Sequence, residues 1–143
     1  MIASLMSILL WACIGFLSIE TGGALIHKFL FHGPLWFIHS SHHRPKRGQI
    51  LELNDLFAVA FSLLPIWLMM GSSSVETPRF AVGLGMTVHG AAYFILHDLM
   101  THRRWWPLNP VGESARKIVR HHRVHHQRVD RAGQGPWGLL LPW

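Results

Sequence analysis

The chain has 143 residues, half of them hydrophobic and 14% charged, with a formal charge of +6 and one cysteine. That is the length of one domain, read here as residues 1–143, and the lone Cys13 excludes both a disulfide framework and a thiolate metal site. The positive charge does not point to nucleic acid: of thirteen Lys and Arg only Arg79 adjoins the loop Ser72 to Pro78, and the others gather on the opposite side of the apolar runs, an asymmetry typical of membrane topology.

The first apolar run, Ile2 to Ile19, carries no charge. It is too long, and lacks the basic start, for a signal peptide. A first helix is expected from Ile2 to about His32, ended by Gly33-Pro34 because proline cannot continue the hydrogen-bond ladder. Leu35 to Leu53 then carries the basic run Arg44-Pro45-Lys46-Arg47-Gly48. A second span is expected over Asn54 to Met70, a turn over Gly71 to Ser74, and a third span over Arg79 to His97. A bilayer crossing needs about 20 residues of helix, so the expected fold is an all-α integral membrane helical bundle of three to four spans. Three crossings put the N-terminus outside, with room for a re-entrant element. The positive-inside rule then places the basic side at the cytoplasmic face of the cell's inner membrane; a docking surface for an acidic protein is the other reading of the same charge.

Gly112 to Asp130 reads as an amphipathic helix. Ala115, Ile118, Val119, His122, His125, His126 and Val129 fall on one stripe, with Arg116, Lys117, Arg120, Arg123, Arg128 and Arg131 opposite. This pattern suits a helix lying at the membrane surface, apolar side inward. Trp36, Phe37, Trp105 and Trp106 are expected as interface anchors.

The histidines carry the chemistry. Of twelve, ten fall into four clusters: His27/His32, His39/His42/His43, His97/His102 and His122/His125/His126. One metal takes four to six ligands, so ten imidazoles suit two ions, and imidazole alone does not choose between zinc, copper, iron and nickel. In each H-x-x-H-H set the positions i, i+3 and i+4 share a helix face, so three imidazoles are expected to project into one space. Each H-x4-H pair lies about 140° apart on a regular helix; either the helix ends between its members or the pair brackets two metals. Several other chemistries are disfavoured. There is no H-E-x-x-H for a zinc peptidase, paired histidines are surplus to haem ligation, and ligands at one membrane face do not suit zinc transport. No Gly-rich nucleotide turn or iron–sulfur cysteine set is present, so electrons for any redox reaction come from outside.

The order H-x4-H, H-x2-H-H, H-x4-H, H-x2-H-H resembles the membrane di-iron hydroxylases of the fatty acid hydroxylase and sterol desaturase superfamily. Within it the chain is most similar to bacterial β-carotene hydroxylases, through Glu20 to His43, Arg44 to Gly48, Glu52 to Leu56, Gly85 to Thr87, Tyr93 to His102 and His122 to His126. It departs from them at Leu99, where the family usually has glycine, and at Trp105-Trp106, one residue longer than usual. The resemblance implies that the ten clustered histidines hold two irons and that O2 is a co-substrate. It also implies a ferredoxin or similar electron donor, and a carotenoid entering from the bilayer to be hydroxylated on its β-ionone ring towards zeaxanthin. A ketolase, a desaturase, another lipid or sterol hydroxylase, or a non-catalytic membrane metal or haem protein are the competing readings.

Other residues belong near this centre. Asp98 is expected to hydrogen-bond the free nitrogen of a cluster histidine; Asn54 and Asp55 either do likewise or cap the second span. His121 is expected outside the ligand set. Glu20 precedes His27 by seven residues and His89 precedes His97 by eight, which puts both roughly 10 to 12 Å deeper along their helices. Intramembrane ionisable groups usually pair, so Glu20 and His89 either face each other or each satisfy local backbone.

Overall fold

The computed structural model describes residues 2–45 and 49–141; Lys46, Arg47 and Gly48 of the basic run lie outside the described residues. Among these there is no strand, and the helices run α1 (Ile2–Ile26), α2 (Trp36–His43), α3 (Asp55–Met70), α4 (Pro78–Tyr93) and α5 (Gly112–His126). Two of them do not stop where their α-helical hydrogen bonding stops. α1 continues as a π-helical turn over His27–Phe31, and α4 as a longer π-helical segment over Phe94–Thr101. The expectation of one α-helix to His32 is therefore corrected at its C-terminal end.

Including these extensions, Leu5–Phe31 and Pro78–Thr101, at 27 and 24 residues, are long and apolar enough to cross a membrane. α3, expected as a further span, has 16 residues, roughly 24 Å against the ~30 Å hydrocarbon core. Leu9, Leu10, Leu17, Leu63, Trp67 and Val88 are all exposed. An apolar girdle of this kind is unfavourable in water and suits lipid.

α1 and α4 run side by side in the same direction, since both end at the histidines. Their approach is set by glycine: a Cβ on Gly15 would strike the backbone of Val82, and one on Gly85 the backbone of Ala12. Small residues let backbones pack this closely where hydrophobic burial supplies no drive between helices. α3 runs back along α4, with Gly83 against Pro65, Leu68 and Met69. The start of α4 is fixed locally, as Thr77 Oγ1 accepts the Phe80 N–H at 3.2 Å and Pro78 occupies the first turn.

α5 ends four residues before the expected Asp130, so Arg128, Val129 and Arg131 lie beyond it. Its stripe faces inward: Val119, His122 and His125 are buried, and the helix packs on the π-helical segment Phe94–Thr101. The histidines on that stripe meet other histidines rather than lipid, because their ring nitrogens need polar partners that acyl chains lack. The chain after α5 folds back over the same histidines as an irregular tail.

Candidate metal centre

The π-helical turns explain the H-x4-H spacing. In a π-helix the backbone bonds run from i+5 to i, so residues five apart stack on one face. His32 N–H donates to His27 O at 3.0 Å, and His102 N–H to His97 O at 2.9 Å. Each histidine pair is thus spanned by its own i+5 to i bond. Of the two alternatives drawn from a regular helix, the first holds, since the π-helical turns end at Phe31 and Thr101 and leave His32 and His102 as the closing residues. The second is corrected, because each pair lies within one group of rings.

The ten rings form two cages of five. The first holds His27, His32, His39, His43 and His125, and the second His42, His97, His102, His122 and His126. Within each cage one nitrogen from every ring lies within 4.8 Å of all the others. Each H-x-x-H-H set divides between them, which corrects the expectation of a single space for three imidazoles. His39 and His43 serve the first cage while His42 serves the second; reciprocally, His122 and His126 serve the second while His125 serves the first. The cages touch, with His43 and His126 stacked at 4.3 Å across the boundary. His121 belongs to neither.

The outer nitrogens are committed to donating. His27 Nδ1–H donates to Trp137 O at 2.8 Å, His39 Nδ1–H to Asn54 Oδ1 at 2.6 Å and His42 Nδ1–H to Glu52 Oε2 at 2.8 Å. His43 Nδ1–H donates to Arg128 O at 3.0 Å and His125 Nδ1–H to Gln134 O at 2.5 Å. A neutral imidazole with Nδ1–H carries its lone pair on Nε2. His27 and His39 therefore present two bare lone pairs to each other, with their Nε2 atoms 3.0 Å apart. Similar Nε2 spacings of 2.9 Å join His42 to His97 and His122 to His126. Nitrogens about 2.1 Å from one metal and at right angles around it lie roughly 3.0 Å apart. The Nε2 atoms of His43, His102 and His125 are buried without any partner. Facing lone pairs and orphaned nitrogens are costly alone and fit a cation in each cage.

Burial keeps these rings neutral. It holds His39 and His125 down to about 4, and His102, with Arg104 nearby adding repulsion, down to about 3. His43 is held to about 2 by burial and neighbouring histidines. Neutral rings are the metal-binding form.

A buried polar cluster braces the second cage. Arg104 donates to Asp98 at 2.8 Å, to Asp55 at 2.6 Å and twice to the Ile50 carbonyl, and lies 3.8 Å from Glu52. Burial pushes Glu52 up to about 7, with Arg104 opposing. Of the sequence candidates, Asn54 touches a cage ring directly, and Asp98 lies 3.4 Å from His97 Nδ1. Asp55 touches no cage ring; it accepts the Glu52 N–H at 2.9 Å and pairs with Arg104. Neither Asn54 nor Asp55 acts as expected of a helix cap, since α3 has no side-chain cap bond. Trp36, expected as an interface anchor, is half-buried and packs against His32 and His43 with centroids 5.0 and 5.2 Å away. Phe37, Trp105 and Trp106 are exposed.

Deeper in the bundle, His89 Nε2 lies 2.7 Å from Glu20 Oε2. The other carboxylate oxygen accepts the N–H groups of Leu140 and Leu141 at 2.8 and 3.0 Å. Glu20 thereby ties the tail to α1. Sequence reasoning did not assign Glu52, Arg104, Trp137, Gln134 or Arg128 to the site. For Arg104 the only signal was its place two residues after His102 and six after Asp98; a backbone carbonyl leaves no trace in residue type.

A cavity of about 530 Å³ lies between α1, α3 and α4. Its walls include Phe31, Phe57, Phe61, Ile66 and Met86, and rings of both cages border it: His27 and His39 from the first, His42, His97 and His122 from the second. A second hollow of about 280 Å³ reaches His42, His43, His102 and His126 beside Pro45, Arg123 and Gln127.

The profile of the fatty acid hydroxylase family matches residues 12–143. The chain is 36% identical over 126 residues to the β-carotene hydroxylase of Pantoea ananas, covering 87% of this chain and 71% of that protein. The corresponding protein of Pseudescherichia vulneris gives 36% over 126 residues, covering 87% and 70%. Chloroplastic β-carotene 3-hydroxylase 1 of Arabidopsis thaliana is 37% identical over 121 residues, 80% of this chain but 38% of the plant protein. No solved structure matches the chain. With a profile match over most of its length and relatives above one-third identity, the chain belongs to the fatty acid hydroxylase family.

Proposed function

We propose that this chain hydroxylates the ring of a carotenoid, using O2 and two irons held by the two histidine cages. Two five-histidine cages bordering one apolar cavity carry this reading. The first iron would be held by His27, His32, His39, His43 and His125, the second by His42, His97, His102, His122 and His126. When bound, the iron pair supplies the reduction of O2 and delivery of one oxygen atom to a carbon–hydrogen bond. The balance is RH + O2 + two electrons + two protons giving ROH + H2O.

The chain's own residues bind and orient the hydrocarbon. The cavity runs roughly 12 to 16 Å from the cages to Ile19 and Met86, about half of the ~30 Å hydrocarbon core. An extended polyene therefore enters by one end, ring first, with the rest in lipid. Phe31 and Phe57, stacked with centroids 3.7 Å apart, form an aromatic wall below the first cage. Glu20 and His89 border the cavity as a mutually satisfied pair, which limits the desolvation cost beside an apolar guest. Rings of both cages border the space where the substrate carbon sits.

The basic side of the chain, bearing the cages, lies at the cytoplasmic face of the inner membrane, with α1, α3 and α4 as crossings. Electrons come from a ferredoxin or similar carrier docking on that side, and residues 1–143 act as one domain. The test is expression in cells that accumulate β-carotene together with a competent electron donor, followed by pigment chromatography and iron analysis. Hydroxylated pigment and about two irons per chain are expected. Unchanged pigment despite a full iron complement would refute the carotenoid assignment.

A further inference from the structure

The two cages differ in what stands behind their imidazoles. Behind the first are neutral oxygens: the carbonyls of Trp137, Arg128 and Gln134 and the amide oxygen of Asn54. Among the described residues, no carboxylate accepts a hydrogen bond from a first-cage ring. Behind the second are acids: Glu52 accepts from His42 at 2.8 Å, and Asp98 stands 3.4 Å from His97 Nδ1. Arg104, 8% exposed, gathers Glu52, Asp55 and Asp98 into one buried group. Three acids against one guanidinium leave that group formally negative.

A carboxylate behind an imidazole draws on the Nδ1 proton and raises electron density at Nε2, making the ring a stronger donor. A neutral carbonyl draws on it less, since hydrogen bonds to charged acceptors are roughly twice as strong. Net negative charge beside a site also favours a cation within it. Both effects act on the second cage; at the first, the one nearby acid, Asp130, reaches His32 only through space and is itself paired with Arg128 at 3.2 Å.

Resting on the reading of both cages as metal sites, we propose that the two positions are unequal. The second cage is the tighter, more electron-rich one, Glu52 is the positioning residue that makes it so, and Asn54 plays the weaker counterpart at the first. The second cage fills first and keeps its ion when the first is empty.

Metal-stripped full-length protein in detergent, titrated anaerobically with cobalt(II), tests this through visible absorption and free-metal measurement. The wild type is expected to take up two equivalents in two resolved steps. Glu52→Gln keeps an oxygen behind His42 but removes its charge; it should weaken the tight step about 10- to 100-fold, the range seen for such outer partners, and leave the loose step in place. Asn54→Ala should weaken the loose step alone. Two equivalents of equal affinity in the wild type would overturn the inequality without touching the metal assignment. So would Glu52→Gln acting on the loose step, or on both alike. Failure to bind cobalt at all would overturn the metal reading and this inference together.

Discussion

Arg104 shows how much one side chain can organise. It is the buried cation among Glu52, Asp55 and Asp98, and its removal would leave three acids facing one another without a counter-ion. Arg104→Met is expected to cost about 3 to 5 kcal/mol, the usual penalty for stranding buried charge, read as a lower thermal midpoint in detergent. An unchanged midpoint would mean that water already screens the group. Glu20 offers a second case. Glu20→Ala deprives two backbone N–H groups and His89 of their acceptor, worth about 1 to 3 kcal/mol for each buried group left unpaired. Limited trypsin digestion should then cut faster after Arg131, because the tail loses its tether to α1; cleavage at the wild-type rate would show that the tail is held by other contacts. Residue types predicted the ten rings and brought Glu20 and His89 to similar depth. They could not reveal Trp137, Gln134 and Arg128, whose contribution is a carbonyl oxygen that any residue possesses.

Among the elements, the two π-helical turns were hidden for a different reason. An i,i+5 pair looks inconsistent on a regular helix, and apolar patterning at 3.6 residues per turn cannot tell one π turn from a fraying end. The spacing itself, used twice in one chain, was the available clue. α2 is positioned through Ser41, whose hydroxyl donates to Ile38 O at 2.8 Å and accepts the Asn54 N–H at 3.1 Å, bringing Asn54 to His39. Gly33 closes the first π turn where a Cβ would run into the Phe29 carbonyl. Gly33→Ala is therefore expected to open that turn and displace His32, lowering metal content from the proposed two ions per chain towards one. Retention of both would show that the turn can adjust. The same glycine logic applies to Gly85, where even a methyl would push α4 away from Ala12. The helix bounds were legible because apolarity is written in every residue, α3 included, expected over Asn54 to Met70 and found over Asp55–Met70. What the buried stripe of α5 packs against depends on neighbours that the sequence lists but does not pair.

At the scale of the whole molecule, a dense set of neutral imidazoles makes stability depend on pH. The folded values of His39 and His125, held by burial at about 4, lie below the ordinary 6.5 of the unfolded chain. Between those values the unfolded chain binds protons that the folded one does not, so stability rises with pH across the window. Acidifying the metal-stripped protein from about pH 6.5 to 4 should lower its thermal midpoint progressively, and His102, held to about 3, extends the loss further. A midpoint that stays flat over this range would show that the cages take up protons without opening.

The tail makes the two cages depend on different parts of the chain. Three first-cage rings donate their outer hydrogen bonds to the carbonyls of Arg128, Gln134 and Trp137, and Leu140 and Leu141 latch the segment to Glu20. Glu20 sits in the opening helix, so the latch joins residues 120 positions apart. The carbonyls that orient the first cage lie between Arg128 and Trp137, whereas the acids behind the second, Glu52 and Asp98, precede α5 altogether. A chain cut just after α5 would therefore keep all ten histidines and the acids behind the second cage, but lose the three carbonyls that orient the first.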